Sequence, residues 1–278
     1  LNKHIKNEEI DLLTAGFPCQ SFSIAGENRG FDDPRGKLFF EILRILKELK
    51  NPPKIILLEN VPNLKLYNSG ERLMVIIREL RSLGYWVNQN NAMILNTNKF
   101  GGSPQSRERL FIVALHSSYF KSNRISEDNL KQIKPTNLWE LIDRDEQKND
   151  SYYLSKENKH YHLIKKLLDD YGNNYVYQIR RSIARVSKNE GVCPTLTANM
   201  GLGGHNVPFI SDKHGIRSLT IEELLILQGI HEKEFSFPKI SNSAKKEMIG
   251  NAVHPKVVTE ILNNIIQLYP NKMEKIYA

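Results

Sequence analysis

The feature that most constrains this chain is an unbroken apolar run, Ile55-Ile56-Leu57-Leu58, set between two stretches of helical periodicity. A strand without polar alternation must be covered on both faces, which is the pattern of a sheet interior with helices packed over it. Upstream, residues 36–50 place Leu38, Phe39, Ile42, Leu43, Leu46 and Leu49 at helical spacing, and Pro52-Pro53 ends that helix. Downstream, residues 70–83 repeat the helical pattern and Gly84 stops it. Residues 10–16 read as an earlier buried strand that stops abruptly at Gly16-Phe17-Pro18, and residues 92–95 and 110–115 add two more. This alternation predicts an α/β fold with a doubly wound, mostly parallel sheet.

The pattern changes after that. From about 117 to 215 the periodicity is poor, Asn, Lys and Ser are abundant, and glycines cluster at 201–204. This predicts a second, smaller, irregular domain. Thr220 then caps a helix with Glu223 three residues on, the spacing of a reciprocal cap. A last helix over 255–268 puts Val257, Val258, Ile261, Leu262 and Ile265 on one face. The expected organisation is therefore 1–116, 117–216 and 217–278, with the last segment returning to the first.

Composition narrows the classes. Lys plus Arg outnumber Asp plus Glu by 39 to 31, a net charge of +8 that suits a polyanionic partner. No run approaches the length of a membrane span, so no membrane partner is expected. The two cysteines, Cys19 and Cys193, cannot form a disulfide framework, which points to a reducing cytoplasm.

Four short blocks carry the reactive side chains. Gly16-Phe17-Pro18-Cys19-Gln20 ends the first strand, where open parallel sheets place ligands and reactive groups. A lone cysteine is commonly a core filler, but here Pro18 stiffens the turn and a polar, Gly-rich stretch follows, as expected of a lid. Glu59-Asn60-Val61 ends the next strand in the same way; adjacent strand ends lie about 5 Å apart, so Cys19 and Glu59 can face one pocket. Gln105-Ser106-Arg107-Glu108-Arg109 precedes another strand, and alternate spacing predicts that the two arginines point to the same side. They can pair with acids, or grip phosphate and a base edge. Gly250-Asn251-Ala252-Val253 precedes the last helix, whose N-terminal amides can hold a polar ligand.

Together, and in this order, these blocks resemble motifs IV, VI, VIII and X of bacterial DNA (cytosine-5)-methyltransferases. Residues 31–40 are similar to that family's catalytic loop and following helix, 217–229 to motif IX, and Pro194-Thr195-Leu196-Thr197 to the core of its target-recognition domain. The resemblance implies methyl transfer from S-adenosylmethionine to C5 of a flipped-out cytosine in double-stranded DNA, with no metal. It assigns the nucleophile to Cys19 and the acid at N3 to Glu59; a nucleophilic thiol needs tuning toward thiolate, which cations at Arg107 and Arg109 can supply. It implies cofactor contacts at Pro18, Leu38, Asn251, Ala252 and Val253. DNA contacts are implied at Gln20, Ser23, Arg35, Gln105, Arg181, Arg185 and Thr195, the last gripping a phosphate beside the flipped nucleotide. A restriction–modification role in a bacterial cytoplasm follows from the same resemblance.

The family's motifs I–III, which hold most of the cofactor, have no counterpart in the sequence. A fragment of a longer protein is expected, or a second polypeptide that supplies this lobe. Two other readings stay open: a relative that methylates a tRNA cytosine, and a non-catalytic DNA-binding module or subunit. The long 117–216 region with its basic run 180–185 favours DNA, and the retained Cys19, Glu59, Arg107 and Arg109 favour catalysis.

Overall fold

The computed structural model describes residues 9–17, 37–201, 206–231 and 235–269. Apart from single helical turns, its first elements are β1 (Leu12–Gly16), α1 (Lys37–Glu48), β2 (Ile55–Asn60), α2 (Glu71–Ser82), β3 (Tyr85–Trp86) and β4 (Ala92–Asn96). There follow β5 (Gln105–Ser106), β6 (Glu108–His116), α3 (Tyr161–Tyr171), β7 (Tyr177–Arg180), β8 (Ile183–Val186) and β9 (Cys193–Pro194). The chain continues through β10 (Pro208–Ser211), β11 (Ile216–Ser218), α4 (Ile221–Leu227), α5 (Asn242–Asn251) and α6 (Pro255–Leu268). The fold class is α/β, and among the described residues no helix is long and apolar enough to cross a membrane.

The chain divides into two compact units. The first holds the described residues of 1–95, 108–130 and 261–278. Its sheet runs β1-β2-β6-β3, with β4 also on β6. β1 and β2 are parallel, with Gly16 opposite Glu59, while β6 runs antiparallel to β2, with Asn60 opposite Leu110 and Ile55 opposite Leu115. Ile56, Leu58, Ile112 and Ala114 share one core with Phe39, Leu43 and Leu46 of α1 and with Leu73, Ile76, Ile77 and Leu80 of α2. Side chains alternate across a strand, so the buried Ile55, Leu57, Phe111 and Val113 lie on the opposite face. Both faces are covered, as the apolar run requires. β1 differs from expectation: its residues are half-buried or exposed, because β2 is its one partner among the described strands.

The second unit holds the described residues of 96–107 and 131–260. The stretch expected to be irregular contains a four-stranded sheet, β11-β10-β7-β8, with antiparallel pairing throughout. Strands of three or four residues carry too little periodicity to announce themselves. The expected boundary at 216/217 also shifts. Leu219, Leu224, Leu225, Leu227 and Ile249 share a core with Ile164, Tyr177, Ile179 and Leu196, so α4 and α5 belong to this unit. Thr220 and Glu223 close the predicted reciprocal cap.

Candidate active site

In the first unit the site is built where β2 ends. Glu59 and Arg109 are diagonal neighbours on the β2–β6 ladder, since Glu59 lies opposite Phe111, and such a pair is within reach of long side chains. Arg109 Nε lies 3.1 Å from Glu59 Oε1 with both side chains mostly buried, and Arg109 also donates to the Glu108 carbonyl (2.7 Å). Burial pulls the Arg109 guanidinium below its ordinary pKa, and the Glu59 carboxylate opposes that pull. Gly16, on β1, lies beside the other carboxylate oxygen: a Cβ there would make an ordinary contact, 3.4 Å from Glu59 Oε2. Asn60 locks the strand ends together, donating from Nδ2 to the Phe17 carbonyl (2.6 Å) while its Oδ1 accepts the Val61 N–H (2.9 Å). Pro18, Cys19, Gln20, Ser23 and Arg35 lie outside the described residues. The structure thus places the acid and one arginine together, on strand ends that converge at Phe17.

The second unit contains a different cluster. Arg107 is buried, and its guanidinium donates to the carbonyls of Leu196 (2.6 Å), Gly250 (3.0 Å) and Ala252 (2.9 Å). The alternation expected between the two arginines does not hold, because Arg107 falls between β5 and β6. Its N–H closes back on the Gln105 carbonyl (3.1 Å), which interrupts the extended backbone. Gln105 is buried as well. Its Nε2 donates to the Leu227 carbonyl (3.0 Å) and Gln228 Oε1 (3.1 Å), and its Oε1 accepts the Leu196 N–H (3.1 Å). The Thr195 hydroxyl donates to the Ser106 carbonyl (2.8 Å).

Gly250 and Asn251 end α5 rather than preceding the last helix directly, and Ala252–His254 link the two helices. Gly250 has a steric cause: a Cβ would lie 2.3 Å from the Thr197 carbonyl carbon and 2.4 Å from the Ala198 nitrogen. The Ala252 carbonyl accepts from Gln228 Nε2 (2.6 Å) as well as from Arg107, while the Asn251 side chain is exposed and Val253 is half-buried. Gln228, fully buried between Gln105 and Ala252, is a member that sequence reasoning missed; it falls in the 217–229 block that resembles motif IX, but a lone glutamine at a helix end gives no periodic signal that singles it out. Of the expected DNA-contacting residues, Arg181 and Arg185 are exposed on the β7–β8 hairpin.

Of the expected cofactor contacts, Leu38 is 47% exposed on α1 in the first unit, and Asn251 is exposed at the end of α5 in the second. Among the described residues no group of three His, Cys, Asp or Glu side chains could hold a metal ion.

Solved structures that share this fold are methyltransferases. A DNMT2 variant from Spodoptera frugiperda matches 92% of this chain and 79% of its own with a TM-score of 0.67 at 18% identity. The methyltransferase EhMeth of Entamoeba histolytica matches 95% of this chain and 82% of its own with a TM-score of 0.66 at 20% identity. The chain belongs to the C-5 cytosine-specific DNA methylases, whose family model matches residues 1–267, and it is accordingly a DNA (cytosine-5)-methyltransferase. It is similar to the Type II methyltransferase M.Bsp6I of Bacillus sp. (strain RFL6), 38% identical over 271 residues that cover 95% of this chain and 82% of the relative. The Type II methyltransferase M.NgoBI of Neisseria gonorrhoeae is 34% identical over 268 residues, covering 95% of this chain and 77% of the relative.

Proposed function

We propose that the chain methylates cytosine in double-stranded DNA through a covalent Cys19–C6 adduct, as the modification enzyme of a Type II system like those its relatives are named for. The observation that carries the reading is the Glu59–Arg109 pair at the end of β2, beside β1, the strand that Pro18-Cys19 follow in the sequence. The cytosine ring is electron-poor, and C5 attacks an electrophile only after a nucleophile adds to C6 and breaks the aromaticity. The Cys19 thiolate forms that S–C6 bond, and the proton shared between Glu59 and N3 meets the charge that develops on the ring. S-adenosylmethionine, when bound, supplies the methyl group that C5 takes up. Loss of the C5 proton then expels Cys19 and restores the aromatic ring.

Arg109 holds the Glu59 carboxyl in place. Arg107, which reaches three backbone carbonyls, acts as a positioning residue that ties 196 to 250–252. C6 is inaccessible inside a stacked duplex, so the cytosine leaves the helix, as in the base-flipping methyltransferases as a class. The second unit supplies target choice, with Arg181 and Arg185 of the hairpin against DNA.

The test is covalent trapping on DNA carrying 5-fluorocytosine, whose fluorine cannot leave as a cation. An adduct on the peptide that carries Cys19, absent in Cys19→Ser, is the expected result. An active preparation that methylates but forms no adduct contradicts the mechanism, and substantial turnover by Cys19→Ser removes Cys19 from the nucleophile's role.

A further inference from the structure

The first unit contains a cavity of about 620 Å³ whose wall includes Arg81, Trp86, Asn88, Lys121 and Asn123. It lies at the far end of the sheet from Glu59. Trp86 pairs with Leu115 of β6, whereas Glu59 pairs with Phe111, four residues away on the same strand. At about 3.3 Å per residue that is roughly 13 Å, so the cavity is separate from the Glu59 site.

Trp86 is 46% exposed, unusual for the largest apolar side chain. It is nevertheless held: its Nε1 donates to the Phe120 carbonyl (2.9 Å), and Asn123 Nδ2 donates to the carbonyls of Trp86 and Val113 (2.9 Å each). Among the described residues no second ring or cation stacks on this indole, whereas Trp139 is covered by the Arg144 guanidinium at 4.4 Å. An indole that is fixed at its edge, half exposed in the cavity wall and unstacked by any described ring or cation can take up a planar ligand.

The charge around it has one sign. Among the described residues the charged side chains in the wall are Arg81 and Lys121, and no carboxylate joins them. Arg81 is anchored through Nε to the Val87 carbonyl (2.7 Å), which leaves both terminal nitrogens to donate elsewhere. Lys121 is exposed and has no described carboxylate partner. Asn88 uses its Oδ1 to accept the Asn90 N–H (2.8 Å) and keeps Nδ2 as a donor. A cavity of this size accommodates a nucleotide, and a stacking face beside uncompensated cations is the combination that holds a base and its phosphate.

We propose that this cavity is a nucleotide-binding site, with the base stacked on Trp86 and the phosphate held by Arg81 and Lys121. The nucleotide is either free in solution or part of a single strand. The chain has two tryptophans, so Trp139→Phe leaves Trp86 as the sole indole reporter. The full chain carrying that change is titrated with dAMP, oligothymidylate, deoxyadenosine and inorganic phosphate. The expected result is saturable quenching by dAMP, weaker binding of deoxyadenosine, and competition by phosphate. Arg81→Glu with Lys121→Glu, both on exposed side chains, weakens binding at least about tenfold. Glu59→Gln leaves it unchanged, which separates this cavity from the methylation site. Quenching by the oligonucleotide alone assigns the ligand to a strand. No saturable quenching by dAMP or oligothymidylate up to roughly 5 mM, a range that covers very weak complexes, overturns the proposal. So does binding that the charge-reversed variant retains.

Discussion

Glu59 and Arg109 face each other diagonally across the β2–β6 ladder, 3.1 Å apart, with the carboxylate on the strand that adjoins β1. The arginine therefore fixes the carboxyl on a rigid element rather than on a loop, which is what an acid aimed at one ring nitrogen requires. Glu59→Gln should slow single-turnover methylation by on the order of 10²-fold, the scale for losing a positioned acid. Arg109→Met should slow it through loss of position, with less additional effect in the Glu59→Gln background. Wild-type single-turnover rates in Glu59→Gln would show the residue to be structural only. Fully independent effects in the double variant would show that the ion pair does not act through Glu59.

Arg107 contributes to stability instead. Truncating it to Met leaves the Leu196 and Gly250 carbonyls without this donor in a dry interior, at a cost of about 1–3 kcal/mol for each group left unsatisfied, while the Ala252 carbonyl keeps its bond from Gln228. Denaturant unfolding should show that loss before any kinetic assay is run. A variant as stable as the parent would mean that water replaces the guanidinium, and the bracing role would fall.

Gly250→Ala tests the same junction sterically. Its new methyl would meet backbone atoms of Thr197 and Ala198, which cannot swing aside as a side-chain tip can. Overpacking of this kind costs about 1–3 kcal/mol. The melting temperature should fall by several degrees; an unchanged value would mean that α5 shifts freely on the 197–201 turn.

β2, α2 and α6 were readable from local periodicity, because a buried strand and an amphipathic helix repeat their apolar positions over six to fourteen residues. The position of Glu59 near the end of β2 was readable because such a run marks where the strand stops. The Gln105–Gln228 bond joins residues 123 positions apart, and no local pattern encodes it. Arg107 and Arg109 looked equivalent by spacing, yet the closure of the Arg107 N–H on Gln105 gave them different surroundings. The β7–β8 hairpin was hidden for a related reason. Its two-residue turn is Arg181-Ser182, both at positive φ (50° and 63°), where Asn-Gly is the usual signature.

Non-glycine residues held in the left-handed region, as in that turn, are strained and tend to persist where function retains them. The outward face of the hairpin carries Arg180, Ile183 and Arg185, all exposed, while Tyr177 and Ile179 point into the core. A two-stranded ribbon of this kind fits the major groove. Arg181→Ala and Arg185→Ala should each weaken DNA binding several-fold without loss of stability. Removing a phosphate-binding side chain reduces the log–log salt slope by about one, whereas removing a base-reading side chain relaxes site choice and leaves the slope alone. If affinity, slope and site choice all stay as in the parent, the hairpin does not touch DNA.

His254 is 2% exposed, with neither ring nitrogen hydrogen-bonded among the described residues. The ring fills the space left by two glycines: a Cβ on Gly101 would lie 2.8 Å from it and one on Gly229, at φ +73°, 2.7 Å. Burial, with the Lys256 and Arg107 cations adding to it, pushes the imidazole down to about 4 from an ordinary 6.5. The folded protein therefore keeps His254 neutral while the unfolded chain takes up its proton near pH 6.5. Between those two values the unfolded state binds more protons, so stability rises with pH there and is lost as pH falls from about 6.5 toward 4. The full difference is on the order of 3 kcal/mol at 1.4 kcal/mol per tenfold in affinity. His254→Leu removes the titrating group while keeping an apolar side chain between the glycines. Urea unfolding at pH 7 and pH 5 should show a smaller loss of stability on acidification in the variant than in the parent. Equal losses in the two proteins would place the acid sensitivity elsewhere and return His254 to the role of a space-filling ring.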